Sequence, residues 1–385
     1  MRSLLLSGIL FISLIVLFMK KSKFNLYVIL GCTIFILYLL FNPGSAIEAT
    51  TAGLNLFMYK VFPSLFCFLL LSNLLISYDG VYIYSRVLGR FICSPLKLPS
   101  SAGFVLIISA LCGYPVGAKY CNELYKGNAF SQKTAERLLN IASNASPLFI
   151  VGTVGAAMLN NPFYGYILLL SNYLSCVLMA EVLPSEPINN IPFSKPPSSY
   201  KSFIEKLLSS FKLSFNSCLV VSGFVIFFSI VVSIIKNNLI FQVVLNNLCR
   251  YLALPKDIVQ GFVLGLFEMT NGCNMLALCS GSLIIKLCLI SFILAFSGIS
   301  ILLQVYAFSY EIGTPLRKYA LRKIFQGILS SIITLIIMLL PVNNKLSVIN
   351  TPKRGSSLAA FILLIIFISL PVILNSLLFK LKKIH

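Results

Sequence analysis

The chain has 385 residues, of which 58% are hydrophobic and only 10% charged, and 30 Lys and Arg against 10 Asp and Glu give a formal net charge of +20. So much apolar side chain cannot be gathered around one water-soluble core, which excludes an ordinary soluble protein and points to a polytopic, all-α membrane protein. The basic residues fall in short clusters between apolar runs, where membrane orientation and lipid headgroups account for them, so nucleic acid is not an expected partner.

The first apolar run, 3–19, lacks a small-x-small cleavage site and is followed at once by another, 24–41, so it reads as a retained helix. A spanning helix needs roughly 20 apolar residues. Further spans are predicted at about 54–77, 163–182, 212–235, 325–341 and 357–379, with two longer segments, 133–160 and 283–309, that contain breaks. Between them lie 100–126 and 256–282, which are apolar but interrupted at their centres by GYPVGAK (113–119) and GLFEMTNGC (265–273). Each half of such a segment is about a dozen residues, roughly 18 Å of helix, and reaches only the middle of a bilayer. The pattern predicts re-entrant hairpins: one half-helix in, an irregular tip, one half-helix out.

Charge placement gives the hairpins their sides. Lys20, Lys21 and Lys23 place the first loop in the cytoplasm, and the uncharged stretch 42–51, apart from Glu48, reads as an outer loop. Arg86, Arg90 and Lys97 precede the first hairpin, while Lys119, Lys126, Lys133 and Arg137 follow its tip, so both its ends are predicted to be cytoplasmic. The second hairpin opens outside, among the sparser Lys236, Arg250 and Lys256, and the helix after it returns to Arg317, Lys318, Arg322 and Lys323. Lys380, Lys382 and Lys383 put the C-terminus inside, with Lys345, Lys353 and Arg354 a mild exception on the outer side.

The arrangement repeats. Leu98-Pro99 precedes Tyr114 by the same interval as Leu254-Pro255 precedes Thr270, and each hairpin is followed by a helix broken near its middle, at NASP (144–147) and FSGIS (296–300). The predicted organisation is therefore N-terminal helices (1–50), a first repeat (51–182), a Pro-rich cytoplasmic linker (183–205), a second, inverted repeat (206–325) and C-terminal helices (326–385). Paired interrupted segments in inverted halves are a transporter signature, with the substrate site expected where the breaks meet at the midplane.

Irregular backbone at membrane depth is tolerated only where protein or a water-filled cavity satisfies it, so the breaks are predicted to line a cavity. Gly113, Gly117, Gly272 and Gly298 allow tight turns, and Pro115 and Pro147 prevent the helix from continuing. Half-helix N-termini there would offer amides and positive dipole ends to a carboxylate or phosphate; close helix packing is the plainer use of the same glycines. Glu268 is the one acid placed at membrane depth, which makes it a functional candidate for proton coupling, against a structural hydrogen bond to the hairpin backbone. Lys119 either pairs with a substrate anion or Glu268, or snorkels to the cytoplasm. Asn144, Ser146, Thr270, Asn271, Ser297, Ser300 and Gln304 add neutral hydrogen-bonding groups, and Tyr114 an aromatic face. The eleven cysteines include no Cys-x-x-Cys pair and the single histidine is His385, so no metal or cofactor is expected. No nucleotide-binding P-loop and no catalytic constellation is present, so the chain is not expected to be an enzyme.

Four of these stretches together, GYPVGAK, RLLNIASNASPLFIVGTVG (137–155), GLFEMTNGC and AFSGISILLQ (295–304), resemble the YlbJ family of sporulation integral membrane proteins. That family belongs to the nucleoside-recognition, or Gate, group, similar to the repeats of concentrative nucleoside transporters. The resemblance covers roughly 50–325. It implies a role in endospore formation, with movement of dipicolinic acid from the mother cell across the outer forespore membrane as the activity. The residues alone reach a transporter-like protein with inverted repeats; a nucleoside-like permease and a non-transporting scaffold of spore assembly, with or without homo-oligomer formation, are the alternatives.

Overall fold

A computed structural model describes residues 24–80, 83, 89–186 and 202–340. The predicted helices at 3–19 and 357–379, most of the Pro-rich linker, Arg86, and the charges at 345–354 and 380–383 lie outside the described residues.

Every regular element among the described residues is helical. Helix α1 (Phe24–Phe41) ends at Asn42, because the residue before a proline is pushed out of the helical region. Pro43 then starts α2 (Pro43–Leu56) at about 104° to α1. Residues 42–51, predicted as an outer loop from their lack of basic charge, are therefore the first turns of a helix. The proline at its first position is compatible with helix because that N–H has no helical partner in any case. A single π-turn (Phe57–Val61) joins α2 to α3 (Phe62–Ser77).

Beyond Ser77 the described residues include a helical turn (Arg90–Cys93) and a 3₁₀ turn (Ser100–Ala102), and then come the predicted hairpin helices, α4 (Gly103–Cys112) and α5 (Val116–Lys126), separated only by residues 113–115. Helix α6 (Gln132–Ile141) is capped by the Ser131 hydroxyl and stops at an unwound stretch, 142–146, before a π-helical segment (Leu148–Met158) carries the chain onward. Helix α7 (Pro162–Val182) closes this part, with Asn161 capping its first turn.

The second part repeats the order. Helix α8 (Phe203–Lys236), with a Ser202–Glu205 capping box, is followed by α9 (Leu239–Leu252), then by α10 (Lys256–Phe267) and α11 (Met269–Leu278) with Glu268 alone between them. Helices α12 (Leu283–Phe296) and α13 (Gly298–Ser309) are separated by Ser297 in the left-handed conformation, and α14 (Leu316–Leu339) ends the described chain. Both predicted hairpins and both predicted broken helices are thus present as helix–break–helix units.

The two arms of the second hairpin touch backbone to backbone: a Cβ on Gly272 would lie 2.1 Å from Gly265 Cα, so only a glycine pair lets α10 and α11 approach so closely. Aromatic side chains fasten α3 to α8, with the Phe66 and Phe215 rings 4.9 Å apart, and the Asn73 amide donates to Ser214 Oγ at 2.9 Å. A serine and threonine ladder joins α12 to α14, through Ser291 with Ser330 (2.8 Å) and Thr334 with Ser291 (2.7 Å).

Among the described residues, four helical stretches are long and apolar enough to cross a membrane (Pro162–Val182, Phe203–Lys236, Leu283–Ile312 and Leu316–Leu339), and a fifth is present if the bent α1–α2 pair forms one span. Large apolar side chains such as Leu219, Phe227, Ile332 and Ile336 stand exposed on their outer faces, as lipid contact requires. The protein is an integral membrane protein.

Candidate functional site

Each hairpin tip rests on the break of the helix that follows it. At the first tip, Gly113 adopts φ +76°, and a Cβ there would come within 2.5 Å of Ser146 N and 3.0 Å of Asn144 O. The next residue fixes the contact, since Tyr114 N donates to Asn144 O at 2.7 Å. The second half mirrors this through Gly298, whose φ is +75° and whose missing Cβ would sit 3.1 Å from Gly265 O and 3.2 Å from Met269 N. Of the glycines predicted to allow tight turns, Gly113 and Gly298 are therefore points where tip meets break, whereas Gly272 packs the two arms of the second hairpin together.

The two tips also meet each other. The Tyr114 hydroxyl reaches across to Met269 Sδ in the second tip and lies 3.5 Å from Leu294 O, just before the second break. Beside this crossing is a cavity of about 70 Å³, whose wall includes Tyr114 and Pro115, Ser146 of the first break, Glu268 and Thr270 of the second tip, and Gln304 of α13. This is under half of the roughly 150 Å³ that admits one benzene, so the space as it stands takes a few waters, and an aromatic ring would need the two tips to part. Val61 of the π-turn, Leu65 of α3, Val221 and Val225 of α8, Phe149 and Ile301 supply its apolar surface. Elements far apart in sequence thus put polar groups on one small, otherwise apolar space, which is the usual form of a ligand site.

Glu268 is 2% exposed and acts as the N-cap of α11, one carboxylate oxygen accepting from Thr270 N at 3.1 Å and the other from Asn271 N at 2.7 Å. The amides predicted to be free for an anion at this helix start are therefore occupied by the chain's own carboxylate. The start of α5 differs, for Pro115 is its N-cap and no side chain caps it. Of the two hairpin tips, only the first leaves a helix N-terminus without a side-chain acceptor.

The remaining predicted site residues are placed around this centre. Asn144 is buried behind the break and fully engaged, donating to Ile141 O (2.7 Å) and accepting from Gln326 Nε2 (2.8 Å). Ser300 accepts from Gln304 Nε2 at 3.3 Å, and Ser297 turns its hydroxyl onto the Phe296 carbonyl. Gly117 packs on the break, where a Cβ would meet Ala142 O at 2.0 Å, and Asn271 contributes its backbone amide to Glu268. Lys119 is not in the cavity wall. Its Nζ sits 3.3 Å from Ser217 Oγ, 3.4 Å from Asn73 Oδ1 and 3.9 Å from Glu123, between the first hairpin, α3 and α8.

Over 343 residues the chain is 27% identical to the sporulation integral membrane protein YlbJ of Bacillus subtilis (strain 168), spanning 83% of this chain and 84% of that protein. The two proteins are homologous. No protein-family model matches the chain, and no solved structure matches it. The span shared with YlbJ is too long to leave out either hairpin–break unit, so the relationship extends to the parts that build the cavity.

Sequence reasoning missed one group of residues. Tyr319, Lys323 and Gln326 of α14 point into the protein at the first break, Lys323 being 0% exposed, although Lys323 was grouped with the cytoplasmic basic cluster. The signal is in the spacing: 319, 323, 326, 330 and 334 form one polar stripe at helical intervals on a helix otherwise apolar enough to span a membrane.

Proposed function

We propose that the protein is a sporulation membrane transporter that moves dipicolinic acid from the mother cell across the outer forespore membrane, through the cavity between its two hairpin tips. The observation that carries this reading is the meeting of Tyr114, Pro115, Ser146, Glu268, Thr270 and Gln304 from two separate helix–break–helix units at one cavity. A structural scaffold has no need of irregular, polar backbone in the middle of an apolar protein; a transporter does. The homology to a sporulation integral membrane protein supports the cellular setting, and the family resemblance supplies the substrate.

In this reading the two units are inverted repeats with re-entrant hairpins, and a planar dianion lies with its ring against Tyr114 and a carboxylate at the uncapped start of α5. The carboxylate of Glu268 lies on the opposite tip, where it screens the α11 dipole and leaves the anion one preferred end. The re-entrant arrangement has a direct consequence for labelling. In a cysteine-free background, single cysteines at positions 97 and 126 are expected to react from one side of the membrane and those at 256 and 286 from the other; 97 and 126 reacting from opposite sides would remove the architecture.

The function is tested by uptake of labelled dipicolinate into liposomes containing the purified protein. Saturable uptake that nucleosides fail to compete away is the expected result. Competition by nucleosides would reassign the chain to a nucleoside-like permease, and absence of any uptake would favour a scaffold.

A further inference from the structure

Where α6 stops at Ile141 the chain unwinds inside the protein, and the four carbonyls of 141–144 take partners from outside the helix. Each is met from elsewhere. Ile141 O accepts from the Asn144 amide (2.7 Å) and the Cys176 thiol (2.9 Å), and Ala142 O accepts from the Ser109 hydroxyl. Asn144 O accepts from Tyr114 N at 2.7 Å. Three of the four carbonyls therefore have neutral donors, and the fourth, Ser143 O, receives Lys323 Nζ at 2.5 Å.

Lys323 is completely buried, and its hydrogen-bond acceptors are uncharged oxygens. Its second acceptor is Gln326 Oε1 at 2.8 Å, and Gln326 in turn donates to Asn144 Oδ1. Among the described residues no carboxylate lies within ion-pair distance of it; Glu136, on the helix that ends at this break, is engaged by Lys318 (2.6 Å) and Arg322 (3.9 Å). The other titratable groups beside it are the Tyr319 hydroxyl, which donates to Ser143 Oγ at 2.8 Å, and the Cys176 thiol of α7.

The C-terminal end of a helix carries roughly half a negative charge, and unwound carbonyls at such ends are what coordinate small cations in discontinuous membrane helices. We propose that the first break is a monovalent-cation site whose resident ligand is the Lys323 ammonium, delivered on α14 and holding the break by donation to Ser143 O and to the Gln326–Asn144 pair. The second break provides a contrast: at Ser297 the backbone bonds back to Ile293 O at 2.7 Å, and among the described residues no cationic side chain is hydrogen-bonded there. This inference concerns the break itself and stands whatever substrate the protein moves.

The test is chemical rescue of the purified full chain in detergent, read as melting temperature. Lys323→Ala removes the ammonium and leaves a space the shape of n-propylammonium. This variant is expected to melt several degrees below wild type, to regain most of the loss when n-propylammonium chloride is added, and to gain nothing from 1-propanol at the same concentration. Lys323→Met fills the space without charge and is expected to stay low with either additive. Equal rescue by 1-propanol, or no response of the alanine variant to the amine, would overturn the proposal. The methionine variant keeps the test decisive where alanine abolishes folding, since wild-type melting of Lys323→Met shows that no cation is needed at the break.

Discussion

Gly113→Ala is expected to destabilise the protein by about 3 kcal/mol or more, a large loss for one methyl group. The residue has φ +76° and ψ −167°, a combination open essentially to glycine, so alanine there carries backbone strain of order 1–3 kcal/mol before any contact is counted. The new Cβ then meets backbone, 2.5 Å from Ser146 N, where no side chain can swing aside. Relief requires the first tip to lift off the first break, which also opens the cavity wall at Ser146. Gly223→Ala provides the control. Gly223 sits within α8 with nothing within 4 Å of its missing Cβ, so alanine is expected to stabilise by up to about 1 kcal/mol through helix propensity. Thermal unfolding of both variants in detergent checks the pair, and two shifts of the same sign would contradict the account of the tip.

Glu268→Gln is expected to lower stability rather than to act as a neutral copy of the acid. The carboxylate accepts one backbone N–H on each oxygen, whereas a carboxamide has one oxygen and an NH₂ that would face the second donor. A buried N–H left without an acceptor costs about 1–3 kcal/mol. Glu268→Asp keeps two acceptor oxygens in a residue type favoured at helix starts, so it is expected to melt closer to wild type than Gln does. The same pair separates the two roles of the acid in liposomes. A pure cap predicts that uptake follows the folded fraction, while a proton carrier predicts that Gln loses pH-gradient-driven accumulation even where its folded fraction is matched. Wild-type stability of the Gln variant would show that the double cap at the start of α11 is not what holds this tip.

The breaks were legible in the sequence because glycine and proline in an apolar run have few other uses, and 113–115, 142–146 and 297 are irregular within or beside the stretches that composition marked. The bend at Asn42 was not. An absence of Lys and Arg reports which side of a membrane a segment faces and says nothing about whether it is helical, so the first turns of α2 were read as loop. Glu268 was found as a lone acid at depth, but its capping geometry depends on how α10 ends, with Glu268 itself extended at φ −136°. Lys119 and Lys323 show the limit of reading charge by neighbourhood. Both belong to basic clusters, yet Lys119 turns towards Asn73 and Ser217 while Lys323 is buried against Ser143, because helical phase decides the direction of each side chain. The polar stripe through Tyr319, Lys323 and Gln326 carried that phase, and the apolar average of the helix concealed it.

The central claim is that a small dianion occupies the space between the two tips. It is tested most directly by protecting single cysteines at 146 and 304, in a cysteine-free background, from a small thiol reagent. Both positions line the cavity from different units, whereas position 300, one turn from 304, lies outside its wall. The account predicts that dipicolinate slows labelling at 146 and 304 together, with the same concentration dependence, and leaves 300 unchanged. Saturable dipicolinate uptake by these variants with no protection at either 146 or 304 would contradict it.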